Sequence, residues 1–469
     1  MSAGAGAESL ISAGEENAKA VISAEILPAD LVDKLAERTR SKEREGIVAP
    51  SFVVDPSWPR PLPDQWIIGQ VGGIGVDHDD NIWVLHRPRS LSATAAGALG
   101  VAGKNQAGVA VDGLGNPRPF GEPPASCCVP APSVLKFDPT GTLLDSWGGP
   151  SDPGFLQHRC QAERGCVWPA REHGIYVDHN NFVYLSGNGE GANGQFPWSG
   201  THGTDSHVLK FSASGEFIYQ IGFAGTSAPS NEDINGGVNG TPQPFMPSDM
   251  SVDAKTNRLY IADGYGNSRI LIVNAETGRY IGHFGAYGQN PVTVEPEGAA
   301  PWTVNYRAAK TQPLYFRSPV HCAIVSRDGF LYACDRNNNR IQVFDLNEVG
   351  SPCINPEARP GVCGFVRDIP VVPQTIGQTA GSAGFSADES QSCLYAADLW
   401  NGMFHVIDRS TGTIVANVGR TGRQLGEFNW LHSLAVDSAG NVYTGEVETG
   451  QRVQKFTRYG ANRCGIVEK

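Results

Sequence analysis

Six segments of the chain repeat one pattern of apolar and polar positions. A short apolar run ends at Asp or Ser, a polar turn follows, and a second apolar run stops at a polar residue. The copies read GGIGVDHDDNIWVLHR (72–87), HGIYVDHNNFVYLSGN (173–188), SDMSVDAKTNRLYIADGYGNSRI (248–270), HCAIVSRDGFLYACDRNNNRI (321–341), GSAGFSADESQSCLYAADLWNG (381–402) and HSLAVDSAGNVYTGEV (432–447). Their β-branched and aromatic runs predict strands, and the DG, AGN and NN steps between them predict the reversals of β-hairpins. A further strand pair follows most copies, as in VLKFDPTGTLLDSWG (134–148), VLKFSASGEFIYQIG (208–222), ILIVNAETGRYIGHFG (270–285) and FHVIDRSTGTIVANVG (404–419). Four strands per copy and six copies predict an all-β fold, a six-bladed β-propeller.

Five places before the residue that closes each first run stand Gly72, His173, Ser248, His321, Gly381 and His432, small residues alternating with histidines. Each lies where the innermost strand of its blade begins, at the mouth of the channel. In a closed ring alternate blades stand a third of a turn apart, so the three imidazoles can converge on the axis while the small residues leave them room. Imidazole nitrogen is a common zinc ligand, and catalytic zinc takes three protein ligands and keeps one position open. The plainer alternative is that crowded histidines bond one another and solvent; their recurrence in one column at every second blade favours a metal. The remaining histidines share no register, although His202 and His207, in the insertion of blade two, could drape over the channel.

A second column follows the second strand of each hairpin: His86, Gly187, Asp263, Asp335, Asp398 and Glu446. Acidic residues recurring there are expected to tie blades together through backbone N–H groups or neighbours such as Arg269 and Arg340. Just beyond them Arg87, Asn188, Tyr265, Arg336 and Trp400 form a variable rim suited to a substrate. Two arginines and a tyrosine beside a metal would supply carboxylate recognition and proton transfer; ordinary surface salt bridges are the alternative for the arginines.

At 469 residues, with 57 Gly and 32 Pro, the chain is long and turn-rich. Six blades of about 40 to 50 residues account for most of it. Residues 1–50 are expected to form a partly helical extension, with helical periodicity over 9–44, and residues 51–469 the propeller, with long insertions at 88–133, 189–206, 286–314 and 347–378. A net charge of −12 offers no basic patch for nucleic acid or an anionic membrane. No apolar run reaches the length of a membrane span, and MSAGAGAESL lacks the basic start and apolar core of a secretory signal. Among ten cysteines, Cys160 with Cys166 and Cys353 with Cys363 bracket short loops, and Cys322 and Cys334 sit on the two strands of one hairpin. These placements favour an oxidising compartment, periplasmic or secreted, over a reducing cytoplasm. Cys127–Cys128 could be a vicinal disulfide, a soft-metal site or two ordinary loop cysteines.

The segments PFMPSDMSVDAKTNRLYIADGYGNSRI, SPVHCAIVSRDGFLYACDRNNNRIQVF and FNWLHSLAVDSAGNVYTGEV resemble NHL repeats, and more closely the lyase domain of peptidylglycine amidation, peptidyl-α-hydroxyglycine α-amidating lyase. The resemblance covers about residues 66–456 and leaves the N-terminal extension unexplained. It implies a six-bladed propeller with zinc, or another divalent transition metal, on His173, His321 and His432. It further implies a catalytic tyrosine at Tyr265, arginines at Arg87 and Arg336, and cleavage of a peptidyl-α-hydroxyglycine into peptide amide and glyoxylate. Two departures stand out. The family's Asp after its third zinc histidine, which helps hold calcium, is Ser433, so calcium is doubtful, and the cysteine after its catalytic tyrosine is Gly266. The insertions would also rebuild the rim that admits substrate.

The sequence therefore predicts a metal-dependent, lyase-like enzyme acting on a carbinolamide or α-hydroxyglycine-type C–N bond, or on a related small carboxylated substrate. Its partner would be a small molecule or peptide. A lactone or ester hydrolase on the same centre, and a non-catalytic NHL-type binding scaffold, are the competing readings.

Overall fold

All six predicted hairpins form, and each is continued outward into a four-stranded antiparallel blade. The computed structural model describes residues 47–93, 103–104, 110–111, 129–149, 160, 164–189, 204–225, 230–291, 313–348, 364–375 and 377–466. From the channel outward, blade one contains Gln70–Val76, Ile82–Arg87, Val134–Phe137 and Leu143–Trp147. Blade two contains Glu172–Val177, Val183–Gly187, Val208–Phe211 and Phe217–Ile221. Blade three is built from Met250–Asp253, Arg258–Asp263, Arg269–Asn274 and Tyr280–Phe284, and blade four from Val320–Val325, Phe330–Asp335, Arg340–Asp345 and Phe365–Pro370. Blade five contains Ser382–Phe385, Cys393–Asp398, Met403–Asp408 and Thr413–Val418. In blade six, Leu431–Val436, Val442–Glu446 and Val453–Ile466 are completed by Ile47–Asp55 from the other end of the chain.

That last pairing closes the ring. Strand Ile47–Asp55 runs antiparallel to Val453–Ile466, with Phe52 opposite Arg458 and Val54 opposite Phe456. Phe52 and Val54 are buried with Tyr395, Phe404, Phe428 and Phe456 between blades five and six. Burying each such side chain stabilises the closed ring by about 1.5–3 kcal/mol. The strand straddles the position at which the sequence divides extension from propeller. The other outer strand that the sequence did not signal, Phe365–Pro370, lies inside the expected insertion at 347–378. Part of that segment is therefore blade framework rather than rim. The helical expectation for 9–44 lies outside the described residues.

The Asp or Ser that ends each first run caps the turn that follows it. Asp77 Oδ1 accepts the N–H groups of Asp79 and Asn81 at 3.0 and 2.8 Å. Asp178 Oδ1 accepts those of Asn180 and Phe182 at 2.8 and 2.9 Å. In blade four Ser326 Oγ accepts from Phe330 N–H at 3.0 Å. These side chains replace backbone partners that a tight reversal leaves unpaired.

The second column binds the expected partners, backbone N–H groups and nearby arginines, but ties each blade to the loop that leads into it rather than to its neighbour. Asp263 binds Arg269 Nε at 2.8 Å and the Phe245 N–H at 2.8 Å, and Asp335 binds Arg340 Nε at 2.8 Å and the Arg317 N–H at 3.0 Å. Glu446 pairs with Arg452 and accepts from Asn429 N–H at 2.6 Å. Asp398 instead caps its own turn and meets His405 Nε2 at 3.0 Å. In blade two, where the column holds Gly187, Asp205 supplies the carboxylate and accepts from the N–H groups of Ala170, Arg171 and Gly189.

In blade one the column holds His86. Its Nδ1 accepts the Gly69 N–H at 3.2 Å and its Nε2–H donates to the Pro132 carbonyl at 3.0 Å, a pairing that fits only the neutral ring. Burial pushes its pKa down to about 4. A histidine depressed in the folded state adds stability that is complete above its unfolded pKa, near 6.5, and is lost as pH falls toward 4. Urea unfolding should therefore lose about 1.4 kcal/mol per pH unit across that window from this residue. His86→Gln should flatten the slope by that amount. An unchanged slope would mean that His86 is not held neutral.

Three disulfides among the described residues indicate an oxidising environment. Cys160–Cys166 and Cys322–Cys334 form as expected, the second between residues opposite each other in the hairpin register. The third, Cys393–Cys464, fastens the final strand of the chain to blade five. Cys127, Cys128, Cys353 and Cys363 lie outside the described residues. Among those residues no helix is long and apolar enough to cross a membrane.

Candidate metal centre

The three histidines converge. Their ring centroids lie 4.7–4.9 Å apart, and their candidate ligand atoms all fall within 4.8 Å of one another. The chain aims them with backbone irregularities. Pairing between the two innermost strands shifts register between Glu172 and Ile175, between Val320 and Cys322, and between Leu431 and Ser433, so each histidine occupies a bulge. A bulge leaves its residue out of the ladder and turns the side chain from the sheet face.

Each imidazole is then fixed by the next blade. His173 Nδ1 bonds the Ser248 carbonyl at 2.8 Å, His432 Nδ1 bonds the Gly72 carbonyl at 2.8 Å, and His321 Nδ1 bonds that of Gly381. The small residues of the column are thus the hydrogen-bond partners of the large ones. An Nδ1–H donated to a carbonyl leaves the Nε2 lone pair free, which is the tautomer a metal requires. The close approach at the small positions is of backbone more than of rings: a Cβ on Gly72 would stand 2.7 Å from the Glu172 carbonyl oxygen and 2.8 Å from that of His173.

All three rings are buried, and their pKa values lie well below the ordinary 6.5. Burial is the leading cause for each; His432, His321 and Arg87 add to it at His173, Arg336 and Arg87 at His321, and His321, Arg87 and Arg336 at His432. Three neutral, buried nitrogen donors with preset tautomers fit a divalent transition metal such as zinc better than an oxygen-seeking cation. Among the described residues no other group of three or more candidate ligands occurs.

Tyr265 stands over this cluster. Its Oη lies 3.1 Å from His173 Nε2 and 3.1 Å from His321 Nε2, and it accepts a hydrogen bond from Arg336 Nη1 at 3.2 Å. Arg336 also lies over the phenol ring, 5.5 Å from its centroid. Arg87, at the end of its strand, is buried and donates from Nε to the Glu172 carbonyl at 2.6 Å and from Nη1 to Gln70 Oε1 at 2.8 Å. Burial lowers its pKa, which nearby Tyr265 and Glu172 oppose. Arg87 Nη2 and Arg336 Nε are buried N–H groups without a hydrogen-bond partner, and Asn188 Oδ1 is a buried acceptor in the same condition.

His207 takes no part in the site. It is buried at the start of its strand, with Nε2 bonded to the Val167 carbonyl at 2.8 Å, and does not reach over the channel. His202 lies outside the described residues. A side chain at Gly266 would run into the Phe245 ring, 1.7 Å from its Cβ, so no cysteine fits there. At the step after the third histidine, Ser433 Oγ accepts from Ile74 N–H at 3.0 Å and joins blade six to blade one.

Sequence reasoning missed Asp249, at that same step in blade three. It lines the narrow space behind the histidines, and burial pushes its pKa up to about 7. Only Ser248 belongs to the column of small residues and histidines, and Asp249 beside it has no counterpart in a repeated pattern. Beyond Asp249 the inner strands line a cavity of about 410 Å³ that extends to the opposite turns. A separate cavity of about 640 Å³ lies on the outer flank of blades four and five, near Tyr332, Arg409 and Cys464, with no histidine in its lining.

No protein-family model matches the chain. Fold and site define its class: a six-bladed β-propeller carrying a buried three-histidine group that could hold a metal ion.

Proposed function

We propose that the protein is a metal-dependent lyase of the amidating-lyase kind, exported to the periplasm or secreted, that cleaves the C–N bond of a carbinolamide or α-hydroxyglycine-type carboxylate. The observation that carries this reading is the position of Tyr265 Oη, 3.1 Å from Nε2 of two of the three histidines and bonded to Arg336. A phenol and a guanidinium thus adjoin the three-histidine group.

Zinc, or another divalent transition ion on His173, His321 and His432, would supply Lewis acidity at a substrate oxygen and make its deprotonation easier. Arg87 and Arg336 would hold the substrate carboxylate through their unpartnered N–H groups. Tyr265 would take the hydroxyl proton from the carbinol carbon. As that proton leaves, the C–O bond becomes a carbonyl, the C–N electron pair departs with nitrogen, and the proton returns from Tyr265 to nitrogen. The products are a primary amide and an α-oxo acid, and no water is consumed.

Incubation with an N-acyl-α-hydroxyglycine should release glyoxylate and primary amide in equal amounts. Absence of glyoxylate above the protein-free rate, or turnover of lactones and esters instead, would overturn the lyase reading.

A further inference from the structure

The rim of the channel is polar over blades one to four, carries a pair of indoles at blade five and the entry to blade six, and has Glu448, 3.8 Å from Arg171, two positions after Glu446. Past the second strands, blades one to four place Arg87, Asn188, Tyr265 and Arg336 in turn, and blade five places Trp400. Trp400 follows Asp398 by two positions, as Tyr265 follows Asp263. The repeat of the ring therefore sets it at a comparable height, two blades further round. The next segment brings Trp430, two residues before His432. The two indoles meet edge to face, with centroids 5.3 Å apart and planes at 66°.

This pair is held in place while remaining open. Asp398 Oδ1 accepts the Trp400 N–H at 3.1 Å, and the Trp430 carbonyl accepts the Val447 N–H at 3.2 Å. Trp430 adopts a left-handed backbone conformation, φ 60°, which a bulky residue takes only where its surroundings impose it. Trp400 is nonetheless 39% exposed, one of few large apolar side chains so placed. An exposed indole packed on a half-buried one, on the segment that leads two residues later into His432, is suited to stack on a ligand that enters the channel.

We propose that Trp400 and Trp430 form an aromatic wall that selects substrates carrying an apolar, planar group beside the reacting carbon. This rests on the function proposed above: with the carboxylate on Arg87 and Arg336 and the hydroxyl at the histidines, the rim at blades five and six is left for the third substituent of that carbon. The preferred substrate is then an aromatic or otherwise flat N-acyl hydroxy acid rather than a small hydrophilic one.

Lactate and mandelate test this, because both carry the α-hydroxyl and carboxylate and differ by methyl against phenyl. Calorimetric titration of the metal-loaded protein should show mandelate binding about tenfold tighter than lactate, as stacking on a rigid aromatic pair allows. Trp400→Ala should bring the ratio close to one and leave lactate affinity unchanged. If W400A no longer binds lactate because it is misfolded, Trp400→Leu, which keeps an apolar side chain without a ring, decides on the same ratio. A ratio that persists without the indole, or wild-type protein that binds the two anions equally, overturns the aromatic wall and leaves the lyase reading standing. Failure of both anions to bind overturns the two together.

Discussion

Replacing His321 and His432 together by alanine should reduce bound metal from about one equivalent to less than about a tenth, because His173 alone cannot retain a transition ion through dialysis. The ring itself should survive. Each substitution removes one imidazole bond to a carbonyl, that of Gly381 or Gly72, which is worth about 0.5–1.5 kcal/mol. It leaves the inter-strand ladders of blades four and six in place, since the histidines lie in bulges outside them. Loss of metal with unchanged far-ultraviolet circular dichroism is therefore expected. Full occupancy in the double variant would show that the metal, if any, sits elsewhere.

Tyr265→Phe should separate binding from chemistry. The phenyl ring keeps the edge-on contact with His173, at 5.0 Å between centroids, and the stacking of Arg336, so metal content should stay near one equivalent. What disappears is the oxygen that lies between two Nε2 atoms. General acid–base groups contribute about 10²–10⁴-fold, and glyoxylate release should fall within that range with metal retained. Turnover equal to the wild type would remove Tyr265 from the mechanism. Loss of metal together with turnover would make it a structural residue instead.

The blades were legible because their signals are local. Apolar runs, Asp or Ser turn caps and the second-column carboxylates recur at fixed offsets, and each acts within one hairpin or on an adjoining loop. Convergence of the histidines was legible for a related reason: a closed ring turns equal register into equal radius. What the sequence did not disclose depends on distant partners. Strand Ile47–Asp55 acquires its role only when Val453–Ile466 lies beside it. Cys393 and Cys464, 71 residues apart, meet only once blades five and six close. The outer strand Phe365–Pro370 reads as part of an insertion because it is cut off from its hairpin by a long connection.

Within the site, the histidines and the rim positions came from register and the roles of Tyr265, Arg87 and Arg336 from the family resemblance, while the geometry came from bulges and from carbonyls on neighbouring blades, which leave no mark in a linear pattern. Tyr265 meets two of the histidines directly, and Arg336 bears on them through its bond to Tyr265 and its charge. Arg87 lies near enough to bear on them through charge, and one of its N–H groups is unpartnered. His207 shows the limit of reasoning from position alone, since a histidine in a rim insertion proves to be buried against Val167.

The central claim is that His173, His321 and His432 form a metal centre, and X-ray absorption at the metal edge of the purified protein tests it most directly. About one equivalent of a divalent transition metal is expected, with three histidine nitrogens at about 2.0–2.1 Å for zinc and no sulfur neighbour. A metal content far below one equivalent after growth with zinc, or a first shell of sulfur or of carboxylate oxygens alone, would contradict it.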